Sequence, residues 1–290
     1  MGSSPKLSVC IPAYNAAQYV WETVLSCLTD TMWSIEIIIS DNHSKDDTAT
    51  ILSELAHAHP DTIRLVRPDL HLSMAQNWNF TMSHARGEYV LLLSADDLLT
   101  PGICDDAITT FENDPTIDIV SYEHDRLVHE GDGTAIVARP VARHLDPAKP
   151  LTVSKLLTFN PLSINFSFIR AQSKAIESCR VKGQLFSRDL MTTDFDFWIK
   201  TVLQGAKITY RKAPKALYRV HGGNLSGAKR RMIIQTFLTL SRHRERLIDQ
   251  AAWAFRLVML RLFIRLALSR KDWRRNGRIL GALPQYIFLK

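Results

Sequence analysis

Glycine is scarce in this chain, 12 in 290 residues, and none clusters after the first apolar run. No phosphate-cradling P-loop and no Gly-rich dinucleotide fingerprint occurs, which excludes an ordinary nucleoside triphosphatase and a nicotinamide enzyme. A nucleotide bound here would be held by side chains and metal rather than by a glycine-lined loop. Cysteine is also sparse: Cys10, Cys27, Cys104 and Cys179 lie far apart, without C-x-x-C spacing or histidines at ligand distance. That argues against a zinc site or a disulfide framework and for small buried side chains in a reducing compartment. Long apolar runs are missing at the amino terminus, where Met1 to Lys6 is polar and the stretch after it is broken by Pro12 and Asn15. No secretory leader is legible there, so the expected location is cytoplasmic.

Hydrophobic residues make up 46% and charged residues 22%, enough apolar material for one large folded body. The formal charge of +7 is unevenly spread. Residues 229–290 hold 15 Lys and Arg against three acids, a net of +12, while residues 1–228 carry 21 basic against 26 acidic groups, a net of −5. The expectation is a body at 1–228 and a basic amphipathic helical tail at 229–290, with an anionic partner for the tail.

Leu7 to Ile11 reads as a short buried strand closed by Pro12. Ile35 to Ser40, nearly all β-branched, reads as a second, Ile63 to Val66 as a third and Tyr89 to Leu93 as a fourth. Segments with helical spacing separate them, over Ala16–Leu28, Asp47–His59 and Met74–Ala85. Alternation of this kind predicts an α/β fold with a mostly parallel, Rossmann-like sheet. Ligands in such sheets bind beyond the carboxyl ends of the strands. Asn15, Asp41 and the pair Asp96-Asp97 all fall at those ends, and this agreement of three strand ends is the argument for an active site.

Each residue also has an ordinary explanation. Asp96 and Asp97 repel each other unless a cation or water compensates them, which a hard divalent ion would do. Either one could instead cap a helix beginning near Pro101. Asp41 fits a turn leading into a helix capped by Ser44 or Asp46. Asp194, in Thr193-Asp194-Phe195-Asp196-Phe197-Trp198, sits where a helix should start, and serves as an N-cap with a low pKa or as a general base with a modestly raised one. His221 and Arg219 lie in Tyr218-Arg219-Val220-His221 and are unremarkable by themselves.

Taken together and in order, these segments resemble the family 2 inverting glycosyltransferases over roughly residues 5–226. Val9 to Asn15 resembles the opening strand and loop of the nucleotide site, with Pro12, Tyr14 and Asn15. Ile37 to Asp46 resembles the second strand, whose terminal Asp41 reads the base. Asn77 and Ala85-Arg86-Gly87-Glu88-Tyr89 resemble the approach to the metal strand, and Leu92 to Asp97 the metal motif. Asp194 to Trp198 resembles the acidic segment with the catalytic base, and Tyr218 to Ser226 the closing loop. The resemblance implies the A-type glycosyltransferase fold and a single displacement at the anomeric carbon of a nucleotide-diphosphate sugar, a UDP-sugar for preference, in cell-surface polysaccharide or glycolipid synthesis. It implies Mg²⁺ or Mn²⁺ on Asp96, Asp97 and His221, a ribose contact from the other member of the acidic pair, a diphosphate contact from Arg219, and Asp194 as base. Two departures stand out: Ser94 where the family often has Asp, and Thr193 where it usually has Glu. A catalytically decayed nucleotide-sugar-binding protein or scaffold is the alternative these departures raise, and a nucleotidyltransferase is disfavoured by the absence of a Gly-rich basic loop.

In the tail, Ala251 to Leu268 is apolar but holds Arg256, Arg261 and Arg265, too many charges for a membrane span. A helix lying on an anionic membrane surface fits better, with Lys271, Trp273, Arg274, Arg275 and Arg278 extending the basic patch. The competing reading is a helix packed on the body or on another subunit. The expected partners are a nucleotide-diphosphate sugar, a saccharide or lipid-linked acceptor and an anionic membrane surface, with no nucleic acid. The expected site of action is the inner face of the plasma membrane.

Overall fold

The structure is a computed structural model that describes residues 4–28, 31–130, 133–137, 150–158, 160, 162–222 and 229–268. The amino-terminal half alternates strand and helix: β1 (Leu7–Ala13), α1 (Val20–Cys27), β2 (Ile35–Asp41), α2 (Thr48–Ala58), β3 (Ile63–Val66), α3 (Met74–Ser83), β4 (Tyr89–Leu92) and α4 (Ile103–Asn113). There follow β5 (Ile119–Glu130), β6 (Gly133–Val137), α5 (Val153–Thr158), a 3-10 turn (Ile164–Phe166), β7 (Ser167–Arg170) and α6 (Lys174–Glu177). The chain closes with α7 (Thr193–Leu203), β8 (Ile208–Val220), α8 (Lys229–Arg242) and α9 (Arg244–Leu268).

These strands form one eight-stranded sheet in the order β3-β2-β1-β4-β7-β5-β6, with β8 also paired to β5. Pairings among β1, β2, β3 and β4 are parallel, as is β5 with β8, whereas β7 runs antiparallel to both β4 and β5. The central strands are buried on both faces, and their side chains alternate between two apolar layers as a two-residue period requires. Leu7, Val9, Ile11, Tyr89 and Leu91 join the layer under α1, α2 and α4. Cys10, Ile38, Val90 and Leu92 join the opposite layer, under α3 and α5 to α9. All four cysteines are free and buried, in line with their sequence pattern.

The first strand runs two residues beyond its expected end. Cys10 O accepts the Leu93 N–H at 2.9 Å, while Ala13 O accepts the Asn42 N–H on the other side. Alternation therefore turns Pro12 toward the β4 side, past the last β1–β4 pair, Cys10–Leu92, where an absent N–H breaks no ladder. At the opposite edge of the sheet the approach to β4 is pinned by a buried polar cluster. Ser8 Oγ donates to Glu36 Oε1 at 2.6 Å and accepts the Gly87 N–H at 2.8 Å, and the Arg86 guanidinium grips Glu36 Oε2 at 2.7 and 3.0 Å. Gly87 is required there: a Cβ would lie 2.6 Å from the Ser8 backbone nitrogen.

The basic tail does not stand apart from the body. Leu240, Leu247, Ala254, Phe255 and Met259 are buried in the same layer as Phe197 and Trp198 of α7. The packed-helix reading of α9 thus holds for one of its faces. No helix among the described residues is long and apolar enough to cross a membrane. Ser226, Lys271, Trp273, Arg274, Arg275 and Arg278 lie outside the described residues.

Candidate active site

The loops after β1, β2 and β4 converge at the carboxyl edge of the sheet because those strands are parallel neighbours. Asn15 has a left-handed backbone (φ 49°), which Asn tolerates better than most residues. Its Oδ1 accepts the Lys45 N–H at 2.8 Å and its own N–H donates to Ser44 Oγ at 3.0 Å. Asn15, expected as a nucleotide contact, ties the loop after β1 to the loop after β2.

Asp41 ends β2, and one oxygen does serve the turn: Oδ1 accepts the Ser44 N–H at 3.0 Å. The other, Oδ2, is buried without a hydrogen-bond partner, and Arg67 Nη1 stands 3.6 Å away. A buried acceptor of this kind costs stability unless a ligand donates to it. Tyr14, 43% exposed, rests its ring against His71 with centroids 4.8 Å apart, giving an aromatic rim for a planar group. Asn42 fastens that rim, exchanging side-chain hydrogen bonds with the Leu72 backbone at 2.8 and 2.9 Å. Asn77 is enclosed below, where its Oδ1 accepts the Ser40 hydroxyl at 2.7 Å. Through that bond it supports the end of β2.

The acidic pair after β4 is split by its surroundings. Asp97 is fully buried; Oδ1 accepts the Arg219 backbone N–H at 2.9 Å and Oδ2 the Asn165 amide at 2.8 Å. Burial pushes its carboxyl well above the usual range, with the Asp96 charge adding to the push and the Arg219 and Asn165 contacts opposing it. Each Asp97 oxygen already accepts one hydrogen bond, so a metal expected on Asp97 would share a carboxylate that also holds the Arg219 backbone and Asn165. Asp96 faces outward instead, with Oδ2 2.8 Å from His221 Nε2. Neither aspartate caps α4, whose N-cap is Gly102.

Arg219 also differs from expectation as a diphosphate contact. It is 1% exposed; Nε donates to Asp96 O at 2.8 Å, Nη2 meets Glu22 Oε2 at 2.5 Å, and the guanidinium lies 4.8 Å from the Tyr19 ring centroid. It is a clamp that fixes the Asp96 loop against α1. The reciprocal Leu98–Leu217 backbone bonds, 2.9 and 3.0 Å, staple the same loop to β8. The His221 ring packs on Tyr19, 4.9 Å between centroids.

Asp194 lies in the first turn of α7. Burial raises its carboxyl above the ordinary value, and the N–H groups of Phe195 and Asp194 itself oppose that shift. Two residues on, Asp196 is a structural anchor: it accepts from Ser187 Oγ at 2.6 Å and pairs with Lys200 at 3.0 Å and His243 at 2.7 Å. Burial alone would raise its carboxyl, yet His243, Lys200 and Ser187 hold it well below the usual range. Among the described residues no hydrogen bond or ion pair joins Asp194 to Asp41, Asp96 or Asp97.

Sequence reasoning missed Tyr19, Glu22, Arg67, His71 and Asn165. Glu22 had a faint signal, an acid in the first turn of the helix that follows the first site loop. Asn165 had none, because its role arises from contact with a residue 68 positions away.

Comparison with known proteins matches residues 8–144 to the family model described as "Glycosyl transferase family 2". An uncharacterized glycosyltransferase of Haemophilus influenzae is 25% identical over 236 residues, 78% of this chain and 69% of that protein. Two Rickettsia relatives described in similar words are longer, the chain spanning 34% and 58% of their lengths. Among solved structures, S. aureus TarS 1-349 in complex with UDP-GlcNAc aligns with a TM-score of 0.69 at 17% identity, covering 97% of this chain and 81% of that one. The mannosyltransferase PcManGT from Pyrobaculum calidifontis, in complex with GDP-Man and Mn²⁺, aligns with a TM-score of 0.65 at 18% identity, covering 98% and 81%. These alignments identify the architecture as the A-type glycosyltransferase fold.

Proposed function

Because residues 8–144 match the model of glycosyl transferase family 2, we propose that the chain is a transferase of that family that moves a sugar, with inversion, from a UDP-sugar to a hydroxyl acceptor. The carrying observation is the Asp96–His221 pair, drawn together at the carboxyl edge of the sheet from positions 125 residues apart. Nucleotide-sugar complexes of the two solved structures with the same fold support this reading.

In this proposal Asp41 Oδ2 accepts a base N–H, satisfying the buried oxygen that has no other hydrogen-bond partner. Tyr14 and His71 flank the base, and a ribose hydroxyl lies within reach of the Asp96 loop. Mg²⁺ or Mn²⁺ fits the donor set: one outward carboxylate oxygen and one imidazole nitrogen, with no group of three or more His, Cys, Asp or Glu among the described residues able to hold an ion. Such an ion would be held by Asp96 and His221, and when bound it would neutralise charge on the departing diphosphate. Arg219 keeps Asp96 and His221 in place through Glu22 and Tyr19. Asp194 takes the acceptor hydroxyl proton as the oxygen attacks the anomeric carbon opposite the leaving group, a role its raised pKa suits.

The acceptor in this proposal is a saccharide or lipid-linked hydroxyl used for cell-surface polysaccharide or glycolipid, met at the cytoplasmic face of a membrane. In this proposal residues 1–228 form the catalytic unit, extended by α8 and α9. The test is a panel of UDP- and GDP-sugars with Mn²⁺ or Mg²⁺, following thermal shift, nucleoside diphosphate release and the product anomer by NMR. A metal-dependent shift with a UDP-sugar and an inverted product is expected. Indifference to every donor, or a retained anomer, overturns the proposal.

A further inference from the structure

The carboxyl-terminal helix α9 has two apolar faces, and the fold uses one. Ala254, Phe255, Met259 and Leu262 are buried against the body. On the opposite side Trp253 is 62% exposed, Leu260 40% and Ile264 46%, with Leu257 partly exposed between them. At 3.6 residues per turn these four fall within an arc of about 60°. Exposed Arg256 flanks the arc on one side and exposed Arg261 and Arg265 on the other. Past the kink at Ala251 the helix carries no acid; its two acids, Glu245 and Asp249, both precede it.

We propose that this outer face docks on an anionic lipid surface, with Trp253, Leu257, Leu260 and Ile264 entering the acyl boundary and the flanking arginines meeting headgroups. An indole and branched aliphatics in one stripe, edged by long cationic side chains, match the chemistry of such an interface. The net charge of +12 on residues 229–290 adds a broader attraction of the same sign. A second copy of this chain is a worse occupant, because pairing the stripe with itself would set arginine edges against arginine edges. Nucleic acid fits the charge but not the apolar stripe. The location favours an acceptor supplied from the membrane: α9 packs on α5 and α8, and both of these pack on α7, which carries Asp194. The docking surface itself stands independently of the donor chemistry.

The test uses the full chain, sedimented with phosphatidylcholine vesicles and with vesicles containing phosphatidylglycerol. Wild type is expected to prefer the anionic vesicles. The double variant Leu260→Glu/Ile264→Glu should lose that binding by about tenfold or more, while its unfolding midpoint, circular dichroism and soluble nucleoside diphosphate release stay unchanged. A second variant, Arg261→Gln/Arg265→Gln, should weaken binding to anionic vesicles and leave the fold intact. Unchanged binding of the first variant would assign the attraction to basic charge alone and overturn the proposal. So would absence of binding by wild type, or a wild-type dimer that the first variant dissociates. Loss of donor release in wild type would instead refute the transferase reading, without bearing on the vesicle result.

Discussion

Replacing Asp194 by Asn separates catalysis from folding, because the two should move in opposite directions. The side chain keeps its shape and one acceptor oxygen but loses the charge and the basicity. Asp196, two positions on, holds α7 through Ser187, Lys200 and His243, so the helix has no reason to shift. A positioned general base is worth about 10²- to 10⁴-fold, which at ~1.36 kcal/mol per tenfold is about 3–5 kcal/mol of barrier. The loss should appear in kcat, with donor affinity changed by less than about twofold, since in the proposed site the donor meets Asp41 and Asp96. Folding should respond the other way. Burial raises the folded pKa of Asp194 above its unfolded value of about 3.9. Its contribution to stability is therefore fully present below that unfolded value and is lost as pH rises through the folded pKa. Asn carries no such cost, so the variant should be at least as stable as wild type at neutral pH, and that advantage should vanish in acid. The wild-type acid limb of kcat should follow the same raised pKa. Steady-state nucleoside diphosphate release and urea unfolding across pH measure both effects. Activity within about threefold of wild type would refute the assignment of the base, and a variant less stable at neutral pH would refute the burial argument.

Asp196→Ala should strand Lys200 and His243 beside a buried gap and cost about 3–5 kcal/mol, read as a lower urea midpoint; a loss below about 1 kcal/mol would refute the anchor. Gly87→Ala puts a methyl 2.6 Å from the Ser8 nitrogen and should cost about 1–3 kcal/mol in the same assay, an unchanged midpoint counting against the close approach. Although burial raises the Glu36 carboxyl, Ser8 and Arg86 bring it below its ordinary value. Its stabilisation is then present above the unfolded value of about 4.3 and lost as pH falls through the folded one. The wild-type advantage over Glu36→Gln should therefore shrink in acid, and a pH-independent gap would contradict the assignment.

The amino-terminal half of the molecule was legible because its signals are local. Four strands announce themselves as β-rich or apolar runs, and each polar strand end follows from where the run stops, so Asp41 and Asp96 could be found by reading forward. Roles that depend on distant partners could not. Nothing in Ser94-Ala95-Asp96-Asp97 says which carboxylate turns inward; Asn165 and the Arg219 N–H decide it. Asn15 and Asn77 could be picked out as polar residues near strand ends, but not the bonds to the Lys45 backbone and the Ser40 hydroxyl that place them. The antiparallel β7 between β4 and β5 left no trace either, since pairing direction is set by the path of the chain and not by residue type. In the tail, the apolar run from Ala251 to Leu268 pointed to a helix, which begins earlier, at Arg244, and the assignment of one apolar side to the body required the body.

Arg219 and His221 reach the Asp96 loop from more than 120 residues downstream. A ribosome delivers the amino-terminal strands first, so the loop exists long before β8 does. A nascent chain halted ahead of β8 has an Asp97 without its backbone donor and an Asp96 without its imidazole. Premature termination in that interval would leave both aspartates without the groups that position them. Whatever the acidic loop binds, its geometry is complete only once synthesis has passed residue 221.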